Sequence, residues 1–366
     1  MNICIFGLTI TSSWGNGHAT PYRALIRALA RMGHHVHFFE KDVPYYNARR
    51  DFETCDYSRI TIYPEWSFIR KQALATANSA DVVVTASFLP DGARINDELL
   101  SLARPVRVYY DLDTPVTLKK LLHGPLEYLR ADQIAGFDVV LSFTGGQALT
   151  VLKNRYEAQA VHALYGCVDP DDYRRTQSNS QWGCDLSYMG TYSPDRQEKL
   201  NQLLLEPARR HPEKTFLLAG PLYPWQWQWP PNVRRLDHIP TADHPGFYSS
   251  SRLTLNLTRG EMAENGWCPS GRFFEASACG APLITDTWDG LDAFFDVERD
   301  LRIVCTAEDM EDALSLPDAE LARMAAHARQ RTLEEHTGQV RARQFLQILD
   351  TACSKYTTQP ANEVAQ

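Results

Sequence analysis

One stretch of the chain gathers residue types suited to holding an anion and a diol together. In Thr258-Arg259-Gly-Glu261-Met-Ala-Glu264-Asn-Gly-Trp-Cys-Pro269-Ser270-Gly271-Arg272-Phe-Phe-Glu275-Ala-Ser-Ala-Cys-Gly280, Pro269, Ser270 and Gly271 open a helix and Gly280 closes it. Arg272 and Glu275 stand three residues apart and share one face of that helix. A helix amino end presents unpaired N–H groups to an oxyanion. With Arg272 beside it, this end suits a diphosphate, and Glu275 can accept hydrogen bonds from both hydroxyls of a ribose. The competing reading is an intrahelical ion pair worth only a few tenths of a kcal/mol.

Three further groups stand out. Between the first strand and the first helix runs Gly7-Leu-Thr-Ile-Thr-Ser-Ser-Trp-Gly15-Asn16-Gly17-His18-Ala-Thr. Gly15 and Gly17 permit close approach of a ligand to the backbone, Asn16 lies between them, and His18 can serve as a base near neutral pH or simply begin the helix. The spacing is not G-x-G-x-x-G, so a dinucleotide site is poorly supported. At the end of a strand, Tyr109-Tyr110-Asp111-Leu112-Asp113-Thr-Pro115 sets two carboxylates two residues apart. Asp113 before Thr-Pro reads as a helix N-cap, whereas Asp111 has no such structural account and is weighted toward function. Finally, Tyr223-Pro-Trp225-Gln-Trp227-Gln-Trp229 either stacks on a base or sugar or alternates between core and surface in a short edge strand. His244, before a helix, is a weaker candidate contact.

The elements that position these residues alternate. Strands are expected at 2–6, 36–40, 81–85, 106–111, 138–143 and 160–164, with helices at 21–32, 68–77, 95–103, 126–135 and 147–156. A turn-rich stretch follows, then strands at 186–189, 215–218, 253–257, 282–285 and 301–305 and helical periodicity from 318 to about 353. This is an α/β pattern of two Rossmann-like domains with parallel sheets covered on both faces. Residues 1–166 form the first domain, 167–181 a linker, 182–337 the second, 338–354 a helix (Val340, Phe345, Leu346, Leu349) packing back across the junction, and 355–366 a disordered tail. At the start of the second domain, Gly190 ends a strand, Ser193 and Pro194 open a helix, and Arg196 projects near another helix amino end.

With 37 basic against 45 acidic residues and a net charge of −8, the chain offers no uniform basic surface for nucleic acid or an anionic membrane. Eight scattered cysteines without a C-x-x-C pair fit neither a zinc module nor a disulfide framework. The first residues read as a strand rather than a secretory signal, and no apolar run approaches the roughly 20 residues of a membrane span. The expectation is a cytoplasmic protein with no metal, no cofactor, no nucleic-acid partner and no integral membrane contact.

Gly271-Arg-Phe-Phe-Glu275-Ala-Ser-Ala-Cys-Gly280-Ala-Pro-Leu-Ile resembles the donor-site signature of GT-B glycosyltransferases. Ser13-Trp-Gly-Asn-Gly-His18-Ala-Thr with Asp111-Leu-Asp-Thr-Pro resembles the CgeB-like, spore-maturation-type branch of these. The resemblance spans essentially the whole chain. It implies a nucleotide-sugar donor, of UDP or dTDP type, bound mainly by the second domain, and an acceptor (small molecule, glycan or protein) held mainly by the first. By resemblance, Gly190 and Arg196 join Ser270, Gly271 and Arg272 at the diphosphate, and Glu275 holds the ribose. The chain departs from the retaining pattern of two glutamates separated by seven residues, since Trp267 stands where the first is expected. Glu261 and Glu264 are the nearby acids, and Arg259 is a further possible contact.

The expected activity is therefore metal-independent sugar transfer from a nucleoside diphosphate sugar, with His18 and Asp111 activating the acceptor or positioning the sugar. Gly15, Asn16, Gly17, Asp113, Tyr223, His244, Arg259 and Glu261 are possible donor or acceptor contacts. Two other classes fit the same pattern: a nucleotide-sugar epimerase of this architecture, or a non-catalytic nucleotide-sugar-binding protein.

Overall fold

The computed structural model describes residues 1–224 and 226–357. Seven parallel strands form the first sheet: β1 (Asn2–Gly7), β2 (His35–Lys41), β3 (Arg59–Tyr63), β4 (Val82–Ala86), β5 (Val106–Asp111), β6 (Val139–Ser142) and β7 (Val161–Ala163), in the order β3-β2-β1-β4-β5-β6-β7. Ile3 of β1 lies between Val36 of β2 and Val82 of β4, and such apolar rows are buried on both faces by the flanking helices. The second sheet comprises β8 (Cys184–Met189), β9 (Phe216–Ala219), β10 (Val233–Leu236), β11 (Ser251–Asn256), β12 (Leu283–Thr285) and β13 (Leu301–Ile303), ordered β10-β9-β8-β11-β12-β13 and again wholly parallel. This is the α/β arrangement of two Rossmann-like domains that the alternation predicts.

Two strands were not anticipated. Both β3 (Arg-Ile-Thr-Ile-Tyr) and β10 (Val-Arg-Arg-Leu) are edge strands whose charged side chains dilute the apolar run by which an interior parallel strand is recognised. The helix expected over 126–135 shortens to Ala131–Ile134. Ahead of it, the Glu127 carbonyl accepts from the Ala93 N–H and the Tyr128 carbonyl from the Asn96 amide, so that backbone serves a neighbouring segment.

The domains are joined twice. Val168 pairs with Thr337 in an isolated parallel bridge, and Asp169 accepts from Arg27 and Arg31 of the helix Ala19–Arg31. The last described helix, Gly338–Thr357, returns to the first domain and buries Ala342, Phe345 and Leu349 against Leu25 and Leu29. A Cβ on Gly338 would lie 2.3 Å from the Ala24 carbonyl oxygen, so only glycine lets the two backbones approach this closely. Helix extends three residues past the expected end at 354, and positions 358–366 of the expected tail lie outside the described residues. Among the described residues, no helix is long and apolar enough to cross a membrane.

Candidate active site

Strand order reverses between β1 and β4 in the first sheet and between β8 and β11 in the second. At such points the loops beyond the strand ends diverge and leave a crevice. Here the two crevices face one another, enclosing a cleft of ≈ 430 Å³ lined by both domains.

The wall from the second domain is built around the helix Gly271–Ala278. Ser270 occupies its N-cap with extended backbone, but its hydroxyl donates to Asn256 Oδ1 at 2.7 Å instead of capping, leaving the first helical N–H groups toward the cleft. The Arg272 Nη1 donates to the Met189 carbonyl at 2.7 Å, which aims the guanidinium past the end of β8. Gly190, next in the chain, leaves it room: a Cβ there would meet Tyr188 Oη at 2.6 Å and Arg272 Nη1 at 2.7 Å. Arg196, on the helix Pro194–Leu200, is only 7% exposed and donates through Nη2 to the Thr191 carbonyl at 2.5 Å. Burial, together with the nearby Arg272 charge, pulls the Arg196 pKa below its ordinary value. Among the described residues each arginine is held by a backbone carbonyl and forms no ion pair, and the Nε of each is buried without a partner. Two like charges held this way are costly unless an anion joins them.

Glu275 is 7% exposed, and burial pushes its carboxyl up to about 7 against the opposing Arg272 charge and hydrogen bonds from Thr20 and Tyr248. Thr20 belongs to the first domain and also meets Tyr173 Oη at 3.3 Å, so the acid is reached from both sides of the cleft. His244 lines the cleft but both of its nitrogens are engaged. Its Nε2 donates to the Ile239 carbonyl at 3.1 Å and its Nδ1 accepts from Tyr173 at 3.1 Å, and burial holds its pKa down at about 4. It is a neutral residue that braces the wall.

Across the cleft, Gly15, Asn16, Gly17 and His18 contribute the loop after β1. Asn16 fixes that loop: its amide donates to the Thr9 and Ser12 carbonyls, and its Oδ1 accepts from the His18 N–H at 3.0 Å. His18 precedes the helix Ala19–Arg31 without a side-chain cap bond, and its Nε2 lies 3.4 Å from Asp113 Oδ2. The carboxylate favours the proton on Nε2, leaving the lone pair on Nδ1, which is buried and has no partner among the described residues. Arg259 Nη1 stands 3.8 Å from the other Asp113 oxygen, so Asp113 ties a histidine of one domain to an arginine of the other.

Three expected contacts do not line the cleft. Asp111 is 1% exposed, and its Oδ1 accepts from the Asp113 N–H at 3.0 Å and from Thr117 at 3.1 Å. Burial pushes its carboxyl up to about 7. The assignment of the two acids is therefore reversed: Asp111 secures the turn into the helix Thr114–Leu121, while Asp113, at the N-cap position, makes no cap bond and faces His18. Tyr223 is packed between Tyr192 and Trp229 in an aromatic cluster that also holds Trp227, with ring centroids 5.5–6.0 Å apart. No strand forms around these tryptophans among the described residues, and Trp225 lies outside them. Glu261 pairs with Lys119 of the first domain at 3.3 Å, at the rim. Trp267 is turned away as well, its carbonyl accepting from Gly145 of the first domain at 3.0 Å.

Sequence reasoning missed Thr20, Tyr173 and Gly220. The first two carry no motif and matter only because the fold brings them to Glu275 and His244. Gly220 had a usable signal, since it ends a strand before proline as Gly190 ends one before a turn. It sits at φ +150, and a Cβ there would lie 2.0 Å from the Gly190 carbonyl oxygen. Gly220→Ala is expected to lower the unfolding free energy by about 2–4 kcal/mol in a urea titration, through backbone overlap beside the arginines.

Two parallel-sheet Rossmann-like domains facing across such a cleft are the GT-B architecture. Residues 196–347 match the sequence family described as Glycosyl transferase-like. Among solved structures, an alpha-glucosyltransferase in complex with UDP-glucose and DNA containing an abasic site is similar at 15% identity and a TM-score of 0.71, over 96% of this chain and 99% of that one. Sucrose-phosphate synthase from Thermosynechococcus elongatus matches at 14% identity and a TM-score of 0.67, over 97% and 100%. Anabaena HepE in complex with UDP and glucose matches at 12% identity and a TM-score of 0.65, over 96% and 99%. No curated protein matches the chain in sequence. The similarity in sequence to a glycosyl transferase-like family is thus confined to residues 196–347, while the likeness to solved structures extends the GT-B fold over nearly the whole chain.

Proposed function

We propose that this protein is a metal-independent glycosyltransferase of the CgeB-like branch that moves a sugar from a nucleoside diphosphate sugar to a hydroxyl of its acceptor. One observation carries the reading: Arg196, buried, and Arg272, half-buried, line the same cleft beside a helix amino end, with no ion pair to either among the described residues. A diphosphate supplies the negative charge that this point lacks. The solved relatives crystallised with UDP or UDP-glucose support a uridine diphosphate sugar as the donor.

In this reading the acceptor oxygen forms its bond to the sugar's anomeric carbon as the bond from that carbon to the diphosphate breaks. The acceptor proton passes to His18, and the bonding pair leaves on the diphosphate. Arg196 and Arg272 stabilise that growing charge as fixed groups already in place, the role a divalent cation fills elsewhere. Glu275 holds the ribose. Asp113 is a positioning residue that orients His18. No carboxylate from the Glu261–Trp267 segment lines the cleft, so Asp113 and Glu275 are the acids available to the reactants.

Calorimetric titration with UDP-glucose tests the donor assignment. The native chain is expected to bind it, and Glu275→Ala to weaken binding by about 10- to 100-fold, the worth of hydrogen bonds to a charged acceptor. The carboxyl titrates near 7, and its ionised form is the better acceptor for two hydroxyls. Affinity is therefore expected to fall as pH drops from 8 to 6, and Glu275→Gln to flatten that slope. Unchanged binding in Glu275→Ala returns the residue to a structural role.

A further inference from the structure

Resting on the proposed transfer, we infer that Arg259 and Asp113, one from each domain, read a hydroxyl of the sugar being transferred, and so select a donor whose sugar offers an uncharged hydroxyl at that point. Arg259 Nη1 and Asp113 Oδ1 stand 3.8 Å apart, too far for a direct hydrogen bond. A hydroxyl oxygen set between them lies within about 3 Å of both, accepting from the guanidinium and donating to the carboxylate. Both residues line the cleft, and both side chains keep exposed surface, 37% for the arginine and 17% for the aspartate.

The backbone on either side of Arg259 is pinned. The Thr258 N–H and hydroxyl donate to Asp286 at 3.0 and 2.9 Å, and Lys199 pairs with the same carboxylate at 2.6 Å. The Gly260 N–H donates to Asp195 at 2.8 Å, and Asp195 also accepts from the Ser193 hydroxyl. Arg259 is thus set by its two neighbours while its head reaches the cleft. Its place in the chain fits the sugar end of the donor. It stands three residues beyond Asn256, the last residue of β11, which accepts the Ser270 hydroxyl where the helix Gly271–Ala278 begins. A short loop therefore separates it from the proposed diphosphate site. The charges about the gap explain the class of group it takes. Asp113 gives its other oxygen to His18 at 3.4 Å, and Glu261 at the rim is matched by Lys119 at 3.3 Å. An acidic substituent in the gap gains Arg259 but meets Asp113, and an amine gains Asp113 but meets Arg259. A hydroxyl both donates and accepts, and satisfies the two together.

Calorimetric titration of the full chain with UDP, UDP-glucose and UDP-galactose tests this, because the difference between UDP and the tighter of the two donors isolates the sugar. Arg259→Met, which keeps the length of the side chain and removes its donors, is expected to weaken that donor about 10-fold or more while the Kd for UDP stays within about 2-fold. Asp113→Ala is expected to show the same sugar-selective loss from the opposite domain, and Arg259→Lys, which keeps one donor group, to recover part of it. Retained UDP binding shows in each case that the variant is folded. An unaltered donor affinity in Arg259→Met or in Asp113→Ala overturns the inference. So does an equal loss of UDP in Arg259→Met, which assigns that arginine to the diphosphate with Arg196 and Arg272, and so does a native chain that binds UDP but rejects both donors. Absence of UDP binding by the native chain brings down the donor assignment itself and this inference with it, whereas every other adverse result leaves the donor assignment standing.

Discussion

Replacing Arg272 by alanine is expected to lower kcat for sugar transfer by about 10²–10³-fold, the loss that follows removal of one preorganised charge-stabilising group. Its Nη1 is held by the Met189 carbonyl and its Nε has no partner, so the guanidinium is fixed in direction without being neutralised. A group prepared in this way acts most strongly on the charge that appears as the diphosphate departs, which places its effect in kcat as well as in donor affinity. Folding should survive the change. Arg272 bonds one carbonyl and forms no ion pair among the described residues, and its removal relieves repulsion on Arg196, whose pKa burial and Arg272 together depress. Steady-state kinetics with a parallel thermal melt decides the matter: near-normal turnover in a folded variant removes the diphosphate assignment.

His18→Ala is expected to reduce the transfer rate by about 10²–10⁴-fold, the usual contribution of a positioned general base, while the affinity for UDP changes little. The separation follows from geometry. His18 stands on the first domain beside Asp113, whereas Arg196 and Arg272, the groups proposed for the diphosphate, belong to the second. Asp113→Asn keeps the hydrogen bond but loses the charge that favours the proton on Nε2, and it should show a smaller fall in rate in the same direction. A rate unaffected by His18→Ala leaves that residue as the start of its helix.

The fold was legible because its signals are local. Apolar runs of four to six residues alternating with helical periodicity reveal parallel sheets wherever strands are buried on both faces. That criterion failed at β3 and β10, whose outer edges meet solvent and tolerate arginine. The helix Gly271–Ala278 was legible for a similar reason. Ser270, Gly271, Arg272 and Glu275 lie within six consecutive positions, and helix geometry alone puts the last two on one face. The two aspartates after β5 show where such reading stops. Side chains two apart at a strand end point the same way, and sequence cannot say which is covered. The fold buries Asp111 beneath the helix Thr114–Leu121 and leaves Asp113 against His18.

By itself, then, the amino-acid sequence determined the two-domain α/β architecture and the composition of the helix Gly271–Ala278, because periodicity and capping act over a few neighbouring residues. Only the tertiary structure decided that Thr20 and Tyr173 reach Glu275 and His244, that Asp113 faces His18, and that Phe88 and Leu112 line the cleft. Those outcomes depend on contacts between segments about 70 or more residues apart, where burial and the pairing of polar groups are set by which surfaces the folded domains bring together.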